Sequence, residues 1–590
     1  MPVAGTDPVS IAVGGGQRVL PAQGDSKARL LVPAALLVIL LFLVAGPLLQ
    51  FATSSFEKAD GGNFTLANYI VAFGNARRLQ ALVNSLLIGS AATALCIVLA
   101  VPIAWAVSRT DMPCKGLVRL TVIATFITPP YLGGIAWILL AAPRAGWLNR
   151  PWIALAGGGS GPFNIYSFAG IVFVLAIYAY PYIFIFTSAA LDIVSSEMED
   201  AASILGSNRL RTTLRVTLPL VLPAIFGGAI VTFVDAITDF GAPALIGIPA
   251  HFTVMTTQLL NFFEYPVQLQ VAAAYCAPLL GITVLLLWFQ RAVLDRKGYV
   301  TLTGKGGERR PIRLGRWRWV ALFYALLIGT LSVYLPFLTI CQAGFSKAWG
   351  RGFSLQNLTL ANFHYLFFEY PITRQSIAHT LVYAGTAATV CVALAFAISY
   401  IVHHRLYPGA RLLGALVMTP FVIPGIVLSI AFYAAYAAPP MSLNGTSALV
   451  ILAFITRFLP IAYINTSAAI RSVNPDMEGA ARILGAGRTT TIRQVVAPVL
   501  KSSLAGAWLL IFIPAARELS TALFVVGPQT RVLSVLMLDL NEEGNFEILA
   551  ASGCLLLALI LITVAIGLRL LGRDFMLRQS SGKADGPLRG

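Results

Sequence analysis

Met198-Glu199-Asp200-Ala201-Ala202-Ser203-Ile204-Leu205-Gly206 and Met477-Glu478-Gly479-Ala480-Ala481-Arg482-Ile483-Leu484-Gly485 are two copies of one segment, 279 residues apart. Nine residues after each glycine the copies continue as Val216-Thr217-Leu218-Pro219 and Val495-Val496-Ala497-Pro498. The same offset carries Pro181 onto Pro460 and Thr187-Ser188-Ala189-Ala190 onto Thr466-Ser467-Ala468-Ala469. Further upstream Thr65-Leu66-Ala67-Asn68-Tyr69 matches Thr359-Leu360-Ala361-Asn362-Phe363 at an offset of 294. The 15-residue difference is expected in the loop 143–167 of the first copy. Polar, Gly and Pro matches at fixed spacing are not what chance similarity of apolar segments produces, so the chain reads as a tandem parallel repeat.

The sequence around these copies is that of a protein dissolved in lipid: 57% of its 590 residues are hydrophobic and 11% are charged. A helix needs about 20 apolar residues to cross a bilayer. Nine such runs are nearly free of charge, near 30–52, 82–108, 120–142, 168–190, 269–290, 319–342, 376–402, 412–438 and 548–568. Three more, near 219–242, 447–470 and 499–526, hold ionisable residues. The expectation is therefore an all-α polytopic membrane protein with about 12 transmembrane helices in two parallel six-helix repeats. Its divisions are a cytosolic tail (1–28), a first half (29–293), a basic linker (294–317), a second half (318–572) and a second cytosolic tail (573–590). With six helices between equivalent points, both copies face one side of the membrane, and a pore can form between them around a pseudo-twofold axis.

The net charge of +17 suggests nucleic acid until its placement is considered. With both termini inside, 29 of the 41 Lys and Arg fall in cytosolic segments and 9 in outer loops, as the positive-inside rule requires. Nine lie in the 291–318 linker alone, read as a topogenic loop, so no nucleic-acid partner is called for. The six cysteines show no CxxC or metal-type spacing and read as small packing residues. The first apolar run is too long for a signal-peptide core and is expected to remain as a span.

The segment quoted at the outset, with its Gly and Leu-Pro spacing, resembles the EAA loop of type I ABC importer permeases. Physically it asks for a short helix with a small-residue face, a Gly for a sharp turn and a Pro at the opening of the next span. The resemblance implies that Glu199, Asp200, Ala201, Ala202, Gly206 and Pro219, with Glu478, Gly479, Ala480, Ala481, Gly485 and Pro498, form two coupling loops docked on ATPase subunits. Asp200 or Gly479 in the first motif position, and Ala497 where Leu is usual, depart from the pattern, which suggests unequal coupling. The fused two-half arrangement resembles the permeases of ferric-iron importers, as do Thr128-Pro129-Pro130-Tyr131, Asp239-Phe240-Gly241-Ala242-Pro243 and Ala516-Arg517-Glu518-Leu519-Ser520. What this implies is alternating access in a bacterial inner membrane, two cytosolic ABC ATPases using ATP, and an extracytoplasmic substrate-binding protein. The cargo is expected to be ferric iron, with 2-aminoethylphosphonate, thiamine or polyamine as alternatives. No cofactor or metal is expected on the chain itself.

Charges inside apolar runs are costly and mark either a pathway or a structural pair. Asp235 and Asp239, four apart, are expected on one face of the fifth helix, and Arg517 and Glu518 inside the eleventh, with Asp239 aligned to Glu518. These four are the candidate translocation pathway; an interhelical ion pair or a helix break near the outer interface is the alternative. Arg457 is expected to snorkel or pair locally. Pro129-Pro130 and Pro420 with Pro424 fall in the third helix of each half and fit either gating or packing. The chain lacks a Walker A loop, an HExxH or a GxSxG, so no catalytic residue is assigned. Buried acids in two parallel halves also suit an ion-coupled secondary transporter, which the paired loops argue against.

Overall fold

The computed structural model describes residues 26–58, 63–194, 196–296, 311–407 and 409–571. Most of the expected tails and linker lies outside these. Residues 26–28 and 294–296 are described and extend the neighbouring helices. Among the described residues there is no β-strand, only isolated bridges. Ten helices are long and apolar enough to span, and two bent pairs raise the count to as many as twelve.

In chain order the first half comprises α1 (Leu31–Ser55), α2 (Ala76–Arg109), the bent pair α3 (Lys115–Ile127) and α4 (Pro130–Ala141), and α5 (Phe168–Ile193). The short α6 (Ser196–Ile204), α7 (Thr213–Thr238), the short α8 (Met255–Gln258) and α9 (Leu269–Gln290) follow, with further short helices, Ala67–Phe73 and Arg150–Ala156, in the connections. The second half repeats the order: α10 (Trp317–Gly344), α11 (Pro371–His403), the bent pair α12 (Ala410–Val422) and α13 (Gly425–Tyr436), and α14 (Ser447–Arg471). Then come the short α15 (Pro475–Ile483), α16 (Arg488–Ala516), α17 (Leu533–Glu542) and α18 (Phe546–Gly567).

The third span of each half is not the single helix that 120–142 and 412–438 suggest. α3 and α4 meet at 99°, α12 and α13 at 112°. The cause is proline: Pro129, Pro130 and Pro424 bring no N–H to the carbonyls of the preceding turn and clash with a continuing helix. The carbonyls at the open end of each broken helix are met by arginines. Arg517 Nη1 donates to the Ile127 carbonyl at 2.6 Å, and Arg457 Nη1 to the Ile423 carbonyl at 2.8 Å. A guanidinium at a helix C-terminus also meets the negative end of the helix dipole. Beyond each break the half-helix is deeply buried; in α4 every residue from Tyr131 to Ala141 is buried.

The opening helix of each half lies against the other half. At the widened turn Leu41–Ala45 of α1, the Tyr436 hydroxyl of α13 donates to the Phe42 carbonyl and Thr456 of α14 to the Leu43 carbonyl. At the matching turn Thr330–Tyr334 of α10, Ser332 bonds Thr125 at 2.9 Å and Tyr334 bonds Thr121 at 2.8 Å, both on α3. The two halves are thus interlocked.

Polar identities between the halves now have physical roles. Asn68 donates to the Ser55 and Glu57 carbonyls, and Asn362 to those of Gly344 and Ser346, closing the same turn twice. Ser85 accepts from Met255 N at the start of α8, and Thr380 from Leu533 N at the start of α17. The far end of the basic linker is not simply solvated. Ile312 pairs with Arg109 at the end of α2 and Asp111 just beyond it, and Leu314 N donates to Asp111 Oδ1 at 2.8 Å.

Candidate functional site

Two regions repeat about the pseudo-twofold: the short helices α6 and α15 at one end of the bundle, and a belt of charges at the ends of α7 and α16.

Gly206 and Gly485 end the two short helices at φ of +80° and +85°, a left-handed conformation that favours glycine. A Cβ at either would touch nothing within 4 Å, so the requirement is backbone shape rather than room. That turn frees the two residues before it from any packing. Ile204 and Leu205 are 86% and 87% exposed, Ile483 and Leu484 89% and 87%. Ala201 and Ala480 are exposed on the same helices, while Ala202 and Ala481 are half-buried. Gly479 is half-buried with open space around its Cα, and the side chain of Asp200 lies outside what is described. Pro219 and Pro498 stand at the second position of the α-helical part of α7 and α16, each after a widened turn, Thr213–Thr217 and Ile492–Val496.

The glutamates point the other way, into the protein. Glu199 receives Arg109 Nη2 at 2.6 Å and the Thr217 hydroxyl at 2.7 Å. Glu478 receives the Tyr400 hydroxyl at 3.0 Å and faces His404 Nε2 at 3.2 Å. Each carboxylate therefore ties its short helix to the end of the second span of its own half. The sequence reading did not single out Arg109, Thr217, Tyr400 or the four exposed Ile and Leu residues. The last were legible as identities between the copies.

The charge belt departs from expectation in two places. α7 ends at Thr238 and Asp239 is already extended, with ψ of 133°, so Asp235 and Asp239 do not share a helical face. α16 ends at Ala516, so Arg517 and Glu518 follow the eleventh span rather than interrupt it. The reason is the same in both: the acid caps the turn that follows. Asp239 Oδ2 accepts from Ala242 N at 2.9 Å, and Glu518 Oε1 from Thr521 N and its hydroxyl at 2.9 and 3.0 Å. Their carbonyls in turn accept from Thr256 of α8 and Ser534 of α17. The alignment of Asp239 with Glu518 thus holds as geometry. Asp235 faces the Tyr182 hydroxyl at 3.4 Å.

Arg517 of the second half reaches the α3 break of the first, so it is a bond between halves. Tyr131 and Leu519 both border Gly241 of the Asp239 turn, and the Tyr131 hydroxyl has no hydrogen-bond partner. Asp235, Asp239, Arg517 and Glu518 all remain half-buried rather than sealed. Among the described residues no three His, Cys, Asp or Glu side chains converge as a metal-holding group.

Residues 97–299 and 395–574, one block in each half, match the family of binding-protein-dependent transport system inner membrane components. The chain belongs to this family. It is a fused two-half permease of the type I importer class, a multi-pass inner membrane protein. Ferric transport system permease protein FbpB of Actinobacillus pleuropneumoniae is 25% identical over 576 residues, spanning 95% of this chain and 81% of that protein. Putative ferric transport system permease protein FbpB 1 of Haemophilus influenzae is 26% identical over 526 residues, 87% of this permease and 80% of its own length. Molybdenum transport system permease protein ModB of Escherichia coli is 25% identical over 228 residues, 37% of this permease but 96% of its own chain. A half-length relative aligning with little more than a third of the permease is what a fused duplication produces.

Proposed function

We propose that the permease imports ferric iron by alternating access, served by an extracytoplasmic binding protein and powered by two copies of a cytosolic ATPase that binds and hydrolyses ATP. α6 and α15, with both termini, face the cytosol in this reading. The observation that carries it is the pair of exposed apolar steps, Ile204-Leu205 and Ile483-Leu484, at matching positions on helices whose opposite sides are fixed to the spans. Apolar side chains held in water on a rigid helix favour burial in a groove of a partner. Closure of the ATPase pair then draws α6 and α15 together, and the glutamate ties pass that movement to α2 and α11. Two-thirds or more of each ferric relative aligns, which supports iron as cargo. Asp235, Asp239, Arg517 and Glu518 lie where the halves meet and are the proposed pathway residues. Hydrolysis belongs to the partner, and the permease supplies no catalytic group and no cofactor of its own.

The test replaces Leu205 and Leu484 with Glu, singly and together, in the tagged chain purified from its native membrane. Both residues are 87% exposed, so the thermal midpoint is expected to stay within about 2 °C of the parent, as surface changes within ±0.5 kcal/mol allow. The double variant is expected to lose the co-purifying ATPase and radio-iron uptake together. Retention of both overturns the coupling reading, and uptake driven by a proton gradient without ATP would make the chain a secondary transporter. A co-purified binding protein loaded with something other than iron overturns the cargo alone.

A further inference from the structure

The two glutamate ties occupy equivalent places and differ in chemistry. In the first half Arg109 holds the turn at two points, its Nη2 in an ion pair with Glu199 at 2.6 Å and its Nη1 donating to the Val194 carbonyl at 3.0 Å. Its side chain is 5% exposed. In the second half the carboxylate of Glu478 is shared between Tyr400 and His404. The His404 ring lies tilted at 48° against Tyr400, 4.3 Å between centroids, and meets His403 edge-on at 5.0 Å. The charged and titratable groups facing His404 are Glu478 and Arg482 from α15 and His403 from α11. Tyr400 faces it too and lies in the field of Arg482 and Arg488.

We propose that Arg109, and His404 with Tyr400, are positioning residues that clamp the two coupling helices through Glu199 and Glu478. The first clamp is a permanent ion pair and the second a titratable one, so the two halves are held unequally and only the second responds to pH. This rests on reading α6 and α15 as coupling helices, but the clamps themselves are contacts within the chain and are testable without any partner.

The direction follows from linkage. Burial holds His404 below the ordinary histidine range, with His403 and Arg482 adding to the effect and Glu478 opposing it. A base with a depressed pKa in the clamped state takes up protons more readily once released. The clamp is therefore intact above the ordinary histidine range and weakens as pH falls through it. At higher pH the ring is neutral, with Nε2 placed 3.2 Å from Glu478 Oε1. Arginine stays charged across the whole window, so α6 has no corresponding response.

The experiment is hydrogen-exchange mass spectrometry on the full chain in lipid nanodiscs from pH 7.5 to 5.5, corrected for the intrinsic pH dependence of exchange. Amides of 475–483 are expected to lose protection several-fold on acidification, while those of 196–204 stay level. His404→Gln keeps a neutral donor and is expected to flatten the response of 475–483 without lowering its protection at pH 7.5. Arg109→Gln is expected to lower protection of 196–204 equally at every pH. Equal pH profiles for both helices in the parent overturn the proposal, as does a response of 475–483 that survives in His404→Gln. ATPase co-purification measured on the same variants reports separately on the coupling reading, which fails if neither helix affects it.

Discussion

Arg517 shows how one side chain does work that its position in the sequence conceals. Its guanidinium leaves the end of α16 and closes on the Ile127 carbonyl of the other half, the last carbonyl of α3 before the break. Hydrogen bonds to a charged group are worth about 1.5–3 kcal/mol, and losing one here also strands a carbonyl. Arg517→Gln is expected to lower the thermal midpoint of the detergent-solubilised protein by several degrees, and Arg457→Gln to do the same through Ile423. Unchanged midpoints in both would mean these bonds do not hold the breaks. The charges were legible in the sequence, because an ionisable residue in an apolar run has few bland explanations. Their partners were not. A carbonyl carries no signature in sequence, and Asp239 and Glu518 cap turns whose existence depends on where α7 and α16 stop. Cys341 and Cys554 make the same point, since 213 residues of chain separate two sulfur atoms 3.9 Å apart.

At the scale of the element, α4 is decided by its faces. It is buried along nearly its whole length, so its glycines are contact points rather than flexible joints. A Cβ on Gly133 would come within 1.9 Å of the Tyr178 ring, whereas one on Gly116, in α3, would meet nothing within 4 Å. Gly133→Ala is therefore expected to destabilise by about 1–3 kcal/mol through overpacking, and Gly116→Ala to be neutral or slightly stabilising, read as shifts in thermal midpoint. Equal shifts would mean that α4 is not packed as described. The prolines that break these elements were visible as helix breakers, yet the size of the bend was not. Proline removes a hydrogen bond and bars the straight continuation, but the angles of 99° and 112° are set by what the freed half-helix packs against. The short helices α6 and α15 were more legible, since Gly at a left-handed turn and repeated spacing are local signals.

For the whole molecule, the repeat in the sequence translates directly into two equivalent halves, because equivalent residues close equivalent turns: Asn68 with Asn362, Ser85 with Thr380. What a linear repeat does not express is the exchange of the opening helices. α1 is attached to one half by the chain and to the other by Tyr436 and Thr456, and α10 is placed the opposite way. The connection through 297–310 should then be dispensable for association. Co-expressed fragments 1–303 and 304–590 are expected to co-purify as a complex, whereas either fragment alone is expected to be recovered poorly. Recovery of a stable lone fragment would show that the exchanged helices contribute little.

The same exchange sets a waiting time during synthesis. The carbonyl of Phe42 is made 394 residues before the hydroxyl that will bond it. At about 5–20 residues per second, α1 resides in the membrane for roughly 20–80 seconds before its partner exists. For part of that interval, after α9 and before α10 is made, the first half has all its own helices but an open flank where α10 will lie. Helices α13 and α14, made well into the second half, are the ones that let the first one settle.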